Sequence, residues 1–357
     1  MNAAILGYGT VGKSVFRLLE RVEGISVRYV LELPDRLNES YMVSDPEVIF
    51  TDKDVDIVID ALPGIHPSYE YIKRALECGK HVVSSNKAAI CFGFEELNKL
   101  AGEKGVSLLY EASCGGTIPI IEEILRIGKL DAIDKVYGIL NGTCNYILWQ
   151  MDKNSMDYGE ALSLAQKAGY AEADPRADVS GFDVRNKIII LSSLAFDSFL
   201  EQDIPTVGIE RIDKDLLCRF RFEGKVIKLL GMAVCSGSSY ALAVAPAAIP
   251  ETALEAGVPE NFNMISFNGE YSGEIKLYGQ GAGGDPTADA VVRDVEKILY
   301  KDPAEYGRTF EKKPGYDPAL LRGTCHVGDQ IYPDSVLSDM ALKAEKEGKS
   351  FVFEFNA

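Results

Sequence analysis

A short apolar run at residues 2 to 6 leads straight into Gly7-Tyr8-Gly9-Thr10-Val11-Gly12 and an amphipathic stretch that continues through Lys13 to Leu19. Strand, glycine turn and helix in that order leave few folds open. The first glycine makes a tight turn, and the second lets backbone amides approach a pyrophosphate. The third lets the helix lie close to the strand, and the helix N-terminus attracts phosphate charge. A second apolar segment, Ile25 to Leu31, completes a βαβ unit. The spacing therefore predicts a dinucleotide-binding Rossmann lobe, with Gly7, Gly9, Thr10, Val11 and Gly12 facing the cofactor. Glu32, Asp35 and Arg36 follow the second strand. An acid there would take a ribose diol and an arginine a 2′-phosphate, so NAD and NADP both remain open.

The pattern continues as strand Val55–Asp60, helix 67–78, strand 81–85, helix 94–103 and strand 107–110. Lys87 stands at the carboxyl end of the 81–85 strand, where open α/β sheets hold ligands; the alternative is a solvated strand end. Next comes Glu111-Ala-Ser-Cys-Gly-Gly-Thr-Ile-Pro119, a tight loop that is either an ordinary turn or a set of inward carbonyls able to hold a hard cation. A second lobe opens near Lys135 with a strand to Leu140. Asn141-Gly142-Thr143 then caps a helix bearing Trp149 and could donate hydrogen bonds to a substrate. Strands at 241–244, 263–270 and 272–277 predict a mixed sheet. The glycine-rich turn 278–287, ahead of a helix at 288–299, suits either a hinge or a backbone passing close to a cofactor.

Size and charge narrow the function. A chain of 357 residues suits two lobes. A formal charge of −17 and a pI near 4.7 disfavour nucleic acid or an anionic membrane as partner. Seven cysteines without a Cys-x-x-Cys pair, and only three histidines, do not make a typical zinc site and fit reduced thiols in a cytoplasm. No run approaches the roughly 20 apolar residues of a membrane span, and there is no basic leader.

Gly169 to Lys187 is a polar, carboxylate-rich loop running into Ile188-Ile189-Ile190-Leu191. A buried helix opening near Gly181 is expected, and it puts Asp183 and Lys187 on one face, turned toward Glu172, Asp174 and Asp178. That is either a proton-transfer site between the lobes or a solvated ion pair.

Taken together, Gly7 to Gly12, Ser85-Asn86-Lys87, Glu111 to Gly116, Gly138 to Thr143, Gly169 to Lys187 and Gly279 to Thr287 resemble the homoserine dehydrogenase family over roughly residues 1 to 300. The resemblance implies an α/β fold, with an N-terminal Rossmann nucleotide-binding domain at 1–130, completed by a helix at 286–300. A mixed-sheet α+β catalytic and dimerisation domain would follow at 131–285. It implies reversible reduction of L-aspartate 4-semialdehyde to L-homoserine with NADP or NAD, in a cytoplasmic homodimer. Lys187 would be the acid beside Asp183, with Lys87 where nicotinamide and substrate meet. Glu172, Asp178 and Tyr170 would hold the substrate. Lys87, Gly169, Gly281 and Gly283 would join the cofactor site. Carbonyls at Glu111, Cys114, Gly116 and Ile118 would bind a sodium-type structural cation.

Two departures stand out. The residues after Leu299 are too few for the ACT domain that many members carry, and the loop after Asp60 differs from the usual version. The tail 301–357, with Lys312-Lys313-Pro314-Gly315, Cys325-His326 and the alternating 350–355, carries no readable role. Two alternatives remain: a related Rossmann oxidoreductase on another amino-acid aldehyde, and a non-catalytic protein that binds NADP or homoserine.

Overall fold

The computed structural model describes residues 1–200, 203–301, 310 and 313–355; Lys312 of the Lys-Lys-Pro-Gly stretch lies outside the described residues. The chain divides into two compact units, Met1–Pro119 with Ala282–Glu311, and Ile120–Gly281 with Lys312–Ala357.

The first unit runs β1 (Asn2–Leu6), α1 (Thr10–Leu19), β2 (Ser26–Leu31), β3 (Met42–Val43), α2 (Glu47–Thr51), β4 (Ile57–Asp60), α3 (Ser68–Glu77), β5 (His81–Ser84), α4 (Lys87–Phe92), α5 (Phe94–Lys104) and β6 (Leu108–Leu109). Its six strands are all parallel, in the order β3-β2-β1-β4-β5-β6. This is the doubly wound arrangement, and its strand order reverses direction between β1 and β4. Covered on both faces, β1 and β4 read as unbroken apolar runs rather than alternating ones. The late helix Gly284–Leu299, α12 in chain order, returns to this unit and packs along α1. Its Ala288, Val291 and Val295 share a core with Val15 and Leu19. The short α4 was not anticipated, because Asn86 supplies its cap from what reads as the end of a strand.

The second unit contains α6 (Ile120–Ile127), β7 (Ile133–Ile139), α7 (Gly142–Asn154), α8 (Tyr158–Lys167), α9 (Arg176–Val179), α10 (Phe182–Ala195), α11 (Lys214–Phe222), β8 (Lys225–Ser236), β9 (Ser239–Pro250), β10 (Phe262–Gly269) and β11 (Gly273–Gln280). The tail adds β12 (Gly315–Tyr316), β13 (Arg322–Val327), β14 (Gln330–Val336), α13 (Leu337–Glu347) and β15 (Phe351–Glu354). One mixed sheet runs β11-β10-β7-β8-β9-β15-β13-β14, with β12 pairing β9. Helix α10 packs on β7 and β8.

Two elements here differ from the sequence reading. The long hairpin β8–β9 was seen only as 241–244. In β8 both faces are covered over most of its length, so no alternation marks it, and Pro246 breaks the apparent run in β9. Pro246 is nevertheless accommodated. Val244 and Ala248 hydrogen-bond away from β8, so the proline nitrogen also points away from the hairpin partner and removes no bond of that ladder. The tail, unreadable from sequence, is a folded part of the sheet. Cys325, Val327, Leu337, Phe351 and Phe353 join Leu230, Met232, Ala243 and Ala245 in one apolar core.

Candidate active site

The glycine turn of the first unit is built for close backbone packing. Gly7 has φ +92°, a left-handed conformation that favours glycine. A Cβ on Gly12 would lie 2.0 Å from the Gly7 carbonyl oxygen, so the third glycine is needed for the helix to sit on the turn. A Cβ on Gly9 would meet nothing within 4 Å, and no side chain caps α1. Open space beside uncapped helix amides fits a bound pyrophosphate. Beyond β2, Glu32 accepts from the Leu33 N–H at 2.9 Å, and an Arg36 nitrogen lies 3.9 Å from the same carboxylate oxygen. The acid and the arginine share one spot.

Lys87 is the first residue of α4 and is half-buried. Its position is fixed by the preceding cap. Asn86 Oδ1 accepts from the amides of Ala88 and Ala89, while Nδ2 donates to the carbonyls of Leu62 and Gly64 at 2.9 and 2.6 Å. The asparagine thereby ties the start of α4 to the loop after β4. Asp60 anchors the same loop from below. It is fully buried and accepts from Ser68 Oγ, Ser84 Oγ and the Leu62 N–H. Burial pushes its carboxyl up to about 6 against the pull of those three donors.

In the second unit α10 does open after Gly181, and the expected pair is buried. Lys187 Nζ lies 2.8 Å from Asp183 Oδ2 and donates to the Leu140 carbonyl at 2.6 Å. The two side chains are only 8% and 5% exposed, which excludes the solvated ion pair. Removing one partner of such a buried pair typically destabilises by about 3–5 kcal/mol. Asn141 organises the surroundings. Its Oδ1 accepts from the Cys144 N–H and caps α7, while Nδ2 donates to both Asp178 Oδ1 and Asp183 Oδ2 at 2.8 Å. The cap read from the sequence is present, and the Asn141 Nδ2 donor is engaged by these two carboxylates. Burial, with Asp178 and Asp183 nearby, pushes the Cys144 thiol up, so it stays protonated.

The acidic loop does not gather all its carboxylates. Asp178 joins the cluster through Asn141 from the short helix α9. Asp174 does not: Arg176, two residues on, pairs with both its oxygens at the surface and holds its carboxyl down at about 2. Glu172 is exposed, its backbone carbonyl accepting from Gln166. Tyr170 is partly exposed, packs on Tyr146 at 4.9 Å between ring centroids, and offers its carbonyl to Thr143 Oγ1. Gly169 follows α8 with φ +77°.

The loop at Glu111 opens as a 3₁₀ turn, and Gly116 has φ +57°. Glu111, Cys114 and Ile118 are buried; the Glu111 N–H donates to Asp294 Oδ2 at 2.9 Å. Asp294 on α12 is a fully buried anchor that sequence reading missed, since its partner lies 183 residues away. Among the described residues no cluster of His, Cys, Asp and Glu side chains is arranged for a metal ion. In the glycine-rich turn, Gly283 has φ +122°, while Gly281 lies against Asn263.

Two family models match: "Homoserine dehydrogenase, NAD binding domain" over residues 7–111 and "Homoserine dehydrogenase" over residues 119–295. The homoserine dehydrogenase of Synechocystis sp. is 37% identical over 90% of this chain and 77% of its own length. That of Bacillus subtilis is 35% identical over 84% and 73%. The crystal structure of a homoserine dehydrogenase from Thiobacillus denitrificans superposes with a TM-score of 0.85 at 31% identity, covering 91% of this chain and 81% of that one.

Proposed function

The chain belongs to the homoserine dehydrogenase family, and from that premise we propose that Lys187 is the proton donor of its reaction, held in place by Asp183, Asn141 and the Leu140 carbonyl. The reaction is the reversible NAD(P)H-dependent reduction of L-aspartate 4-semialdehyde to L-homoserine. A bound nicotinamide, held by the glycine turn Gly7 to Gly12, would supply hydride to the aldehyde carbon. Negative charge then builds on the carbonyl oxygen, and an ammonium placed to give a proton there stabilises the transition state more than the ground state. In the oxidative direction the neutral amine takes the hydroxyl proton back. Asp183 orients the amine, and Asn141 keeps Asp183 from turning away.

Glu172 and Asp178, with Tyr170, are assigned to the substrate, the carboxylates neutralising its ammonium. Gly7 to Gly12, Lys87, Gly169, Gly281 and Gly283 are assigned to the dinucleotide. The observation that carries this reading is the burial of Lys187 on a carboxylate and a carbonyl, in a chain whose other unit presents an open glycine turn. The test is homoserine-dependent reduction of NAD and of NADP by the purified protein. Turnover with one or both is expected; inactivity with both, despite dinucleotide binding, would overturn the assignment.

The same reading extends to a sodium-type cation on the carbonyls of Glu111, Cys114, Gly116 and Ile118, supported by the buried turn and its tether to Asp294. Replacing sodium and potassium by tetramethylammonium should lower thermal stability; an unchanged melting temperature would remove the cation. A cytoplasmic homodimer completes the proposal. Among the described residues no disulfide joins any two of the seven cysteines, and no helix is long and apolar enough to cross a membrane. Analytical ultracentrifugation showing only monomer would remove the dimer.

A further inference from the structure

Asn263 is a polar side chain in the wrong place for a purely structural residue. It lies near the start of β10 with no exposed surface, yet among the described residues neither Oδ1 nor Nδ2 has a hydrogen-bond partner. Buried carboxamides are almost always paired, because an unpaired one keeps the full cost of leaving water. Its surroundings are specific. Residues alternate along a strand, so Asn263 shares a face with Ile265 and Phe267, while Phe262 and Met264 pack on the apolar core opposite. Met264 pairs with Ile139, and the next position in that register is Leu140, whose carbonyl accepts from Lys187.

Over the carboxamide lies Gly281. A Cβ there would sit 1.9 Å from Asn263 Nδ2 and 2.2 Å from its Cγ, so Gly281 is a glycine because Asn263 occupies that space. Gly281 is also where the chain leaves the second unit; Ala282 belongs to the first. The turn thus joins strand β11 to helix α12, and the next glycine, Gly283, has φ +122° and ψ +156°, a conformation open essentially to glycine alone.

We propose that Asn263 is a positioning residue for the reaction, whose carboxamide pairs with peptide groups of the turn 279–284 when a nucleotide is bound. This rests on the reading that the turn contacts the nucleotide. The polar groups left unpaired in the free protein then find their partners only in the bound state, so binding is favoured by the bonds that form. A residue kept merely to fill the space beside Gly281 would serve as well, or better, without polar atoms.

The test compares the parent protein with Asn263→Leu, close in volume and without polar atoms, and with Asn263→Ala. Hydrogen exchange of the amides at 279–284 is followed with and without saturating NAD or NADP, alongside the nucleotide Kd and the melting temperature of the free protein. In the parent, nucleotide should slow exchange at this turn. In Asn263→Leu the free protein should melt no lower than the parent, the slowing should disappear, and Kd should rise about tenfold. Asn263→Ala should show the same loss of slowing even if its stability falls. Slowing and Kd unchanged in both variants would overturn the role of Asn263 while leaving the turn as a nucleotide contact. No slowing in the parent would overturn that contact, and the proposal with it.

Discussion

Lys228 offers a quantitative test of how the second unit is built. It sits in the first half of β8 with 1% of its surface exposed. Its ammonium donates to neutral oxygens only, Asn145 Oδ1 at 2.8 Å and the Val258 carbonyl at 2.7 Å, and lies 5.6 Å from the Trp149 ring. Burial, reinforced by Lys153 and Arg221, lowers it from 10.5 to about 7. A depression of that size corresponds to an unfavourable contribution of order 5 kcal/mol wherever both folded and unfolded chains are protonated. Below pH 7 that contribution is complete. Between about 7 and 10.5 the unfolded chain binds more protons, so the contribution fades as pH rises; above 10.5 it is gone. Lys228→Met removes the charge and keeps the unbranched chain. It also leaves Asn145 Oδ1 without its donor, a loss of about 1–3 kcal/mol, whereas the Val258 carbonyl keeps a bond from Asn145 Nδ2. The variant should therefore be more stable than the parent by about 2–4 kcal/mol at pH 6 and equal or less stable at pH 10. Urea unfolding of both proteins at pH 6, 8 and 10 reads this directly. A stability difference that does not change with pH would refute the reasoning.

Asp60→Asn should raise stability at pH 8 by about 2–3 kcal/mol, because the folded carboxyl titrates near 6, above its ordinary 3.8. The favourable contribution of the acid is complete below 3.8 and lost through pH 6, so the gain should vanish near pH 3; equal gains at both pH values would contradict it. Glu172→Gln should raise the KM for homoserine about tenfold with little change in kcat; an unaltered KM moves the ammonium site elsewhere. Glu32→Gln removes the negative charge that would face a 2′-phosphate and should shift the kcat/KM ratio severalfold toward NADP. No shift in that ratio would place the discriminating group elsewhere.

What could be read from the sequence was local. The glycine turn, helix α10 and the pairing of Asp183 with Lys187 depend on spacings of a few residues, and each was legible. Asn141 was legible as a cap but not as the group joining Asp178 and Asp183, because those contacts span 37 and 42 residues. Asp174 was misplaced for the opposite reason: a partner two residues away captured it at the surface. Strand β8 escaped because burial on both faces erases alternation, and the tail escaped because its strands find their partners in β9 and in each other. Asn263 carries no sequence signal at all; only the missing partners mark it.

The central claim is that Lys187 gives and takes the proton. The decisive measurement is steady-state turnover of Lys187→Ala with homoserine, beside its nucleotide Kd and its folded fraction. The account predicts a fall in kcat of at least about a thousandfold, with Kd for NAD or NADP within a few-fold of the parent in a folded protein. Turnover close to the parent's would remove Lys187 from the chemistry.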